Sequence, residues 1–455
     1  MKLRNLIILA LVVIAVGAYI MLVERHRPTS DKVEAQAEKL LQDFDREDVA
    51  AIVIERDTGR VRLEKVGESW HLREPLDFPA DDTVVGTTLG SLADLEAERR
   101  LPAADVDPAE FGLDQPAATV VLSTSDGSDF TLTVGSELPL GSKRALRLAG
   151  AEEIVIAAGR FMTDIGREVD DWRSREVVEI ASDQVASIDI DAGGDAIQAV
   201  RLDDDWRLLQ PLQDVADRDH LQALVSDLNS MRIEEFLDEV ADPAELGLDA
   251  PAFEVLVVRA DGDRPFQLAL GNTREANGVT EVACRRGDGE FFWASDRVTT
   301  RLSKAPVLWR SKKVAPFETW DAESLLLTRG SSAADLNRSD GTWQFADGAE
   351  ADLTSVQERL RKLSDLEATD YDLLNPPTAE LGRVEIGMEA DGGAAVPLTL
   401  TFTFFEPLAE GGRAAVKVSG REIVMGVELS DVEAIVGDLE SLRPEPVEEF
   451  ADESE

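Results

Sequence analysis

Apolar and polar residues alternate in three stretches of the chain that resemble one another. They read VAAIVIE at residues 49–55, VASIDID at residues 185–191 and AESLLLT at residues 322–328. Alternation with a period of two is typical of a β-strand with one buried face. Each stretch is followed by a turn and by a strand that contains Trp70, Trp206 or Trp343. The pattern therefore predicts three similar β-meanders.

A helical period follows each predicted meander. Segments that begin with aspartate come first, at residues 81–83, 217–219 and 352–354. Apolar residues then recur at intervals of three and four, the spacing of one helix face. They are Val84, Val85, Leu89, Leu92 and Leu95 in the first copy, Leu221, Leu224, Val225, Leu228 and Met231 in the second, and Val356, Leu360, Leu363 and Leu366 in the third. Each copy is predicted to contain one main helix.

Two further motifs repeat at nearly the same distance. The stretch DPAEFGLDQP at residues 107–116 returns as DPAELGLDAP at residues 242–251, 135 residues later. The tripeptide Trp-Arg-Ser begins at Trp172 and again at Trp309, 137 residues later. This period is too long for a solenoid repeat and fits a whole small domain. We therefore predict a tandem of three similar domains.

The ten-residue motif has a conformational explanation. Its Asp-Pro pair favours one helical turn with proline at the first position, and Gly112 or Gly247 favours a left-handed end to that turn. The third copy is predicted to keep only PTAELG at residues 377–382. The alternative is that these exposed segments are ligand loops, and we favour the structural interpretation.

Strands are predicted after the motif, and together with the helices they define the fold class. They cover residues 118–122, 130–134, 145–148 and 154–156 in the first copy, 254–258, 266–270, 280–285 and 291–294 in the second, and 398–405 and 414–418 in the third, before a last helix at 430–442. The predicted class is α+β: three tandem similar domains, each an antiparallel sheet with one main helix, after an N-terminal transmembrane helix. The predicted parts are an anchor (1–27), a helical stalk (28–48), repeat units at 49–180, 181–317 and 318–443, of which the third is divergent, and an acidic tail (444–455).

The anchor is predicted from an uncharged apolar run at residues 6–23 that follows Lys2 and Arg4. Such a run is at the lower end for a transmembrane helix and longer than the usual core of a signal peptide. The run continues past the small residues at 16–18, which favours an uncleaved anchor over a cleaved signal. Both interpretations export the body of the chain.

The chain is strongly acidic, with 91 Asp and Glu against 46 Lys and Arg and a net charge of −45 among 455 residues. Such a charge repels phosphate groups and argues against nucleic acid as a partner. It has two interpretations: a docking face for a basic partner, or a solvated surface that keeps the protein soluble, as in a salty environment where self-repulsion is screened. The acids are spread through all three copies, which favours the solvated surface.

Few residues are candidates for chemistry. His26, His71 and His220 lie near no nucleophile motif, and Cys284 is the only cysteine, so we predict no triad, no zinc site and no intrachain disulfide. The chain has no phosphate-binding loop of the ATPase type. The Asp-containing stretches 203–205 and 261–263 hint at calcium, yet they lack the spacing of a calcium loop and fit hairpin turns.

Carboxylate pairs occur by chance in so acidic a chain and do not identify a site. We therefore predict no catalytic residue, no cofactor and no metal site. The tryptophans of the meanders are predicted to be core residues. Arg173 and Arg310, which follow Trp172 and Trp309, are predicted to lie at domain boundaries.

Three features form a recognisable combination: the apolar N-terminal run, hairpins of the type W-x-L-x-x-P at residues 70–75 and 206–211, and the repeated [FL]-G-L-D-x-P. The chain resembles a bacterial membrane-anchored family of unknown function whose domain recurs in tandem. Genes of that family commonly accompany the ATPase, permease and auxiliary subunit of gliding-motility-type ABC transporters. The resemblance covers most of residues 49–442 and is strongest in the first two copies. It implies an extracytoplasmic accessory role and supplies no catalytic residues.

We therefore expect a non-enzymatic, membrane-anchored, extracytoplasmic accessory or scaffold protein of an ABC-type transport complex. Its expected place is the inner (cytoplasmic) membrane, which it crosses once, with its body in the periplasm or outside the cell. The expected partners are the membrane, through the N-terminal helix, and the permease and auxiliary subunits of the transporter. Two other functions stay open: a module that binds an envelope polymer such as a glycan in grooves between units, and a carboxylate-dependent hydrolase.

Overall fold

The computed structural model describes residues 39–444, apart from positions 42–43, 140, 203–204, 241, 263, 288, 316, 372, 374–376, 389–397 and 409–411. The predicted anchor, residues 28–38 of the predicted stalk and residues 445–455 of the predicted tail lie outside the described residues. No helix in the described ranges is long and apolar enough to cross a membrane.

The first sheet has nine antiparallel strands within the described residues. They are β1 (Val49–Arg56), β2 (Gly59–Val66), β3 (Ser69–Glu74), β4 (Phe78–Pro79), β5 (Arg99–Pro102), β6 (Ala118–Thr124), β7 (Asp129–Glu137), β8 (Lys143–Leu148) and β9 (Glu153–Ala158). Their order across the sheet is β4-β3-β2-β1-β6-β7-β8-β9-β5. The main helix is α1 (Asp82–Ala93), and two short helices follow the sheet, α2 (Met162–Ile165) and α3 (Val169–Trp172).

The second sheet repeats this topology. Its strands are β10 (Val185–Ala192), β11 (Asp195–Leu202), β12 (Asp205–Gln210), β13 (Asp214–Val215), β14 (Ile233–Leu237), β15 (Phe253–Arg259), β16 (Phe266–Ala276), β17 (Val279–Arg286) and β18 (Glu290–Ser295). The order β13-β12-β11-β10-β15-β16-β17-β18-β14 matches the first sheet strand for strand. The main helix α4 (Arg218–Ser230) again falls between the fourth and fifth strands of the chain order, and α5 (Thr299–Leu302) follows the sheet.

The third sheet is a shortened version with seven strands in the part that the structure describes. They are β19 (Ala322–Arg329), β20 (Ser332–Ser339), β21 (Thr342–Phe345), β22 (Glu380–Met388), β23 (Leu398–Pro407), β24 (Arg413–Val418) and β25 (Val424–Glu428), in the order β21-β20-β19-β22-β23-β24-β25. Its helices are α6 (Leu353–Ser364) and α7 (Leu429–Val436). The described chain is thus built from three sheet-rich domains with few helices.

The hydrophobic pattern explains why these elements form. In β1, Ile52 and Ile54 are fully buried, and Ile52 lies opposite Leu63 on one side and Leu122 on the other. The same alternation gives one buried face to β10 and β19. Each main helix starts after an aspartate whose carboxylate accepts hydrogen bonds from backbone amides in the first turn (Asp81, Asp217 and Asp352). These caps satisfy amides that have no partner within the helix.

The chain divides into two compact units. The first unit ends at Arg175 and holds the first sheet, and the second unit begins at Glu176 and holds the second and third sheets. Leu40 and Leu41 are buried in the core of the first unit. The described end of the predicted stalk therefore packs with the first domain.

Several sequence predictions need correction. Residues 380–382 begin strand β22 and do not form a helical turn, so the third domain keeps no copy of the ten-residue motif there. The predicted last helix ends at Val436, and a separate 3-10 turn covers Glu440–Leu442. Strands β5 and β14 were not predicted. Each follows the main helix of its domain along the chain and forms the edge of its sheet, where β5 pairs with β9 and β14 pairs with β18. Such short segments carry too few residues to show a period.

Candidate functional site

The first copy of the ten-residue motif forms one turn fixed tightly to the sheet. The 3-10 turn Pro108–Phe111 begins after Asp107, whose carboxylate accepts a backbone hydrogen bond, and it ends at Gly112 with φ of 66°. A Cβ atom on Gly135, in β7, would lie 2.1 Å from the carbonyl oxygen of Phe111. The strand beneath the turn therefore requires a glycine.

The second copy has the same geometry. The turn Pro243–Leu246 follows Asp242 and ends at Gly247 with φ of 71°. A Cβ atom on Gly271, in β16, would lie 2.2 Å from the carbonyl oxygen of Leu246. Proline, both glycines and the capping aspartate thus all have conformational roles.

Behind each turn, apolar residues cover the sheet face that points away from the main helix. Phe111 and Leu113 pack with Ala145, Ile154 and Ile156 in the first unit. In the second unit Leu246 and Leu248 take these places, against Ala269 and Ala283. Neighbouring strand residues point to opposite faces of a sheet. The first and second sheets therefore each have a main core on one face and a smaller core, beneath the motif, on the other.

The Trp-Arg-Ser segment closes the first unit over its main helix. The Trp172 carbonyl accepts a hydrogen bond of 2.9 Å from the Asp81 amide, and the indole is fully buried. Arg173 is also buried; its guanidinium lies 4.4 Å from the centre of the Phe78 ring and 3.0 Å from the Asp170 carboxylate. This arginine therefore has an aromatic face and a half-exposed carboxylate as partners.

The second Trp-Arg-Ser segment meets a buried carboxylate. Nε of Arg310 lies 2.6 Å from Oδ2 of Asp214, the residue 136 positions after Phe78. Arg421, which comes from the β24–β25 turn of the third sheet, holds the same carboxylate with two hydrogen bonds of 2.6 and 2.8 Å. The three side chains are between 1% and 3% exposed. We call Arg310, Asp214 and Arg421 the arginine joint.

Backbone and aromatic groups complete the arginine joint. Nη1 of Arg421 donates to the carbonyl oxygens of Lys313 and Val314, in the segment that links the second and third sheets. The Arg310 guanidinium lies 4.6 Å from the centre of the Tyr371 ring. Burial raises the pKa of Tyr371 against the opposing effect of the neighbouring Arg421 and Arg310. The neutral phenol donates a hydrogen bond to the Ser311 carbonyl.

Open grooves flank the arginine joint within the second unit. One, of about 420 Å³, is lined by Trp206, Asp217, Lys312 and Glu367 among others. Another, of about 440 Å³, lies beside Asp214 and Arg421 and includes the exposed Leu202 and Leu209. A buried carboxylate held by two arginines fixes orientation, because breaking it would leave uncompensated charge. The arginine joint therefore links the second and third sheet domains through three buried charged side chains.

The third domain closes in a related way that sequence reasoning missed. The Leu442 carbonyl accepts a hydrogen bond of 2.8 Å from the Asp352 amide, as Trp172 does from Asp81. The Arg443 guanidinium then lies 4.2 Å from the centre of the Phe345 ring and 2.7 Å from Asp347. Leucine replaces tryptophan here, so the repeated tripeptide was not recognisable.

The other candidate residues are not brought together into one site. Cys284 is fully buried in β17, and burial raises the pKa of its thiol. His220 stacks edge-on against Trp309 in the second core, and His71 lies in β3 of the first unit. Asp205 begins β12 and Asp261 lies in a turn after β15, whereas His26, Asp203, Asp204 and Asp263 are outside the described residues. Within the described ranges no three potential metal ligands cluster.

Sequence reasoning placed Arg173 and Arg310 at domain boundaries but missed Asp214, Arg421 and Tyr371, which surround Arg310. One signal was available. Asp214 is a carboxylate at a position where the first copy has Phe78, in a stretch that is otherwise similar. A charged residue in a predicted core position requires a charged partner.

Comparison with known proteins identifies a domain without an assigned function. Residues 70–251 match the family model described as Domain of unknown function (DUF4340), which spans both copies of the ten-residue motif. No match was found among curated proteins. Among solved structures, the chain is similar to the DNA polymerase III subunit beta from Pseudomonas aeruginosa, with 8% identity over 87% of this chain and 95% of that one and a TM-score of 0.16. The DnaN sliding clamp from Pseudomonas aeruginosa bound to griselimycin matches with 9% identity over 87% and 94%, also with a TM-score of 0.16. Scores this low carry no argument about fold or function.

Proposed function

We propose that this protein is a non-enzymatic, membrane-anchored, extracytoplasmic scaffold that docks other envelope proteins, in particular the permease and auxiliary subunits of an ABC-type transport complex. The anchor would be residues 1–27, with the body in the periplasm or outside the cell. The resemblance to a transporter-associated family and the matching domain of unknown function support this assignment.

The arginine joint is the observation that carries the proposal. A scaffold has to present its surfaces at fixed distances. A buried ion triad resists rearrangement, because separating the two domains would leave its buried charges without partners. Asp214, Arg310 and Arg421 tie two sheet domains into one compact unit in this way. Such an arrangement favours a presenting role over a hinge between independent modules.

The repeated motif offers a docking face of the right charge. In each copy of the motif three acidic residues are exposed; they are Asp107, Glu110 and Asp114 in the first and Asp242, Glu245 and Asp249 in the second. Because the motif is fixed against the sheet through Gly135 and Gly271, these groups are held in the same arrangement twice. A basic surface on a partner would complement them.

The test is crosslinking in native membranes, mild detergent extraction and identification of the proteins that co-purify. We expect a permease and its ATPase with the full chain. A variant with Glu110, Asp114, Glu245 and Asp249 all changed to Lys should lose them. A matched control changes the exposed Glu68, Asp195, Glu323 and Glu358 to Lys, which gives the same net charge at other places.

Retention of the transporter by the control and its loss from the motif variant would support docking through the motif. Equal recovery with both variants would contradict the motif as docking face. Failure of the unaltered chain to co-purify with any transporter subunit would contradict the scaffold function itself.

A further inference from the structure

A groove of about 320 Å³ lies on the third domain, beside the first turns of α6, away from the arginine joint. Its floor is the buried Trp343, which matches the core tryptophans Trp70 and Trp206 of the other copies. Its rim includes Trp320 and Leu353. Cavities of roughly 300–1,000 Å³ are the usual size for small ligands.

The rim is unusually apolar for an exposed surface. Trp320 is 68% exposed and Leu353 is 46% exposed, whereas the five tryptophans at positions 70, 172, 206, 309 and 343 are at most 6% exposed. An indole that projects into solvent contributes nothing to the core. Exposed aromatic side chains with a polar edge nearby are typical of binding surfaces.

The internal copies show that this rim is specific to the third domain. Trp320 precedes β19 by the same distance as Glu47 precedes β1 and Asp183 precedes β10. Leu353 directly follows the helix cap, where the first two copies have Asp82 and Arg218. The third copy alone thus has large apolar residues at two neighbouring surface positions where the first two copies have charged ones, while all three copies have the buried tryptophan.

Polar groups at the groove are donors suited to hydroxyl groups. Nη1 of Arg338 donates to the Trp320 carbonyl and holds the rim in place, and the exposed Gln357 lies on the groove side of α6. Arg361 also lines the groove, and its guanidinium lies 3.4 Å from the Asp365 carboxylate on the same helix. Among the described residues that line the groove, none has a carboxylate.

We propose that this groove binds a neutral oligosaccharide, with one pyranose ring stacked on Trp320 and its hydroxyl groups hydrogen-bonded to Gln357 and Arg338. The apolar face of a sugar ring fits an indole, and its equatorial hydroxyls need the donors and acceptors that the groove edge supplies. Of the two arginines at the groove, Arg361 already has the Asp365 carboxylate as a partner and Arg338 the Trp320 carbonyl, so a ligand without charge can use the remaining donors. The groove volume of about 320 Å³ is at the lower end of the range for small-ligand sites, which fits one or two sugar rings.

The test titrates the purified full chain with maltotetraose and with chitotetraose, and follows tryptophan fluorescence. Trp320 is the most exposed of the tryptophans whose exposure is given above, so stacking should shift its emission to shorter wavelength. We expect saturable binding of at least one of the two oligosaccharides, Trp320→Ala to weaken it roughly tenfold or more, and Trp320→Phe to weaken it less because a ring remains. Gln357→Ala should weaken it by a smaller factor, and Leu202→Ala, which removes an exposed apolar residue elsewhere in the same unit, should leave it unchanged.

Trp320 and Gln357 are exposed, so both variants should fold, and a calorimetric comparison with the unaltered chain verifies this. Absence of binding by both oligosaccharides at millimolar concentration would overturn the proposal. Binding that Trp320→Ala leaves unchanged would also overturn it. If no oligosaccharide binds and Trp320→Ala instead loses a co-purifying protein, the rim is a protein contact and the proposal is overturned as well. The titration uses no transporter subunit, so its outcome is independent of the scaffold function.

Discussion

The Trp-Arg-Ser segment occurs once in each compact unit, with the same backbone contacts and different side-chain partners. The backbone amide of Ser174 donates a hydrogen bond of 2.8 Å to the Pro79 carbonyl, and the backbone amide of Ser311 donates one of 2.8 Å to the Val215 carbonyl. In the first unit the arginine faces Phe78 and a half-exposed carboxylate. In the second unit it belongs to a fully buried ion triad that reaches into the third sheet.

One position that differs between the two copies lies at the centre of this contrast. Where the first copy has Phe78, the second has Asp214, and the carboxylate provides a common partner for Arg310 and Arg421. The second and third sheets form one compact unit, while the first sheet forms its own. The same backbone framework therefore closes one domain in the first unit and takes part in contacts between two sheet domains in the second, where Asp214 and Arg421 add buried charges.

Removal of Asp214 should have the largest effect. Asp214→Ala leaves two buried guanidinium groups without their shared carboxylate, and we expect the free energy of unfolding of the second unit to fall by about 3–5 kcal/mol. The matched change in the first unit is Asp170→Ala, which removes a half-exposed partner of the buried Arg173 but leaves the Phe78 ring in place, and it should cost less, about 1–3 kcal/mol. Urea unfolding followed by hydrogen exchange, with peptides assigned to each unit, measures both.

A second variant tests whether the cost of Asp214→Ala comes from the two arginines that it leaves buried without a partner. Replacing the triad by apolar residues, with Asp214→Leu, Arg310→Met and Arg421→Met, removes all buried charge and should cost much less than Asp214→Ala alone. Equal losses from Asp214→Ala and Asp170→Ala would show that the joint is no stronger than the closure of the first unit, and would remove the main support for a rigid tandem.

The glycines beneath the motif should affect both units alike. Gly135→Ala and Gly271→Ala each place a Cβ atom about 2 Å from a carbonyl oxygen, and overpacking of this kind costs roughly 1–3 kcal/mol. Gly86→Ala in the exposed middle of α1, where a Cβ meets nothing within 4 Å, should instead stabilise by about 0.5–1 kcal/mol. Thermal unfolding of the three variants compares them. A large difference between Gly135→Ala and Gly271→Ala would contradict the equivalence of the two motif copies.

Much of the fold could be predicted from periodicity and repetition. The first strands, the three capped main helices and the motif turns were predictable because each depends on residues close in sequence. The edge strands β5 and β14 were not, because each has only four or five residues and shows no period, and it is held by pairing with β9 or β18, 51 to 61 residues further along the chain. The mistaken motif at residues 380–382 shows the limit of short matches, since Glu-Leu-Gly also suits the start of a strand.

The arginine joint was only partly predictable, for a related physical reason. Arg310 stood out through its repeated tripeptide, whereas Arg421 is 207 residues from Asp214 and belongs to a hairpin turn, where an arginine is usually solvated. Ion pairs between distant residues depend on the final packing and leave no periodic signal. In the sequence, Trp320 is a tryptophan of the third copy that the first two copies lack. Only its exposure in the structure distinguishes it from the tryptophans of the core.

The smallest expected effect concerns His220, which packs against Trp309. The equivalent residue of the first unit is Val84, which packs against the core of that unit. Burial lowers the pKa of His220, and the nearby Lys304 and Arg301 lower it further, against the opposing effect of Asp217 and Asp227. The unfolded chain, with an ordinary histidine pKa of about 6.5, then binds more protons than the folded one in the window below that value. Stability from this site is therefore complete above about pH 6.5 and decreases as pH falls. His220→Val should remove that decrease for the second unit, as measured by urea unfolding at pH 7.5 and pH 5.5, and an unchanged pH dependence in this variant would assign it to other groups.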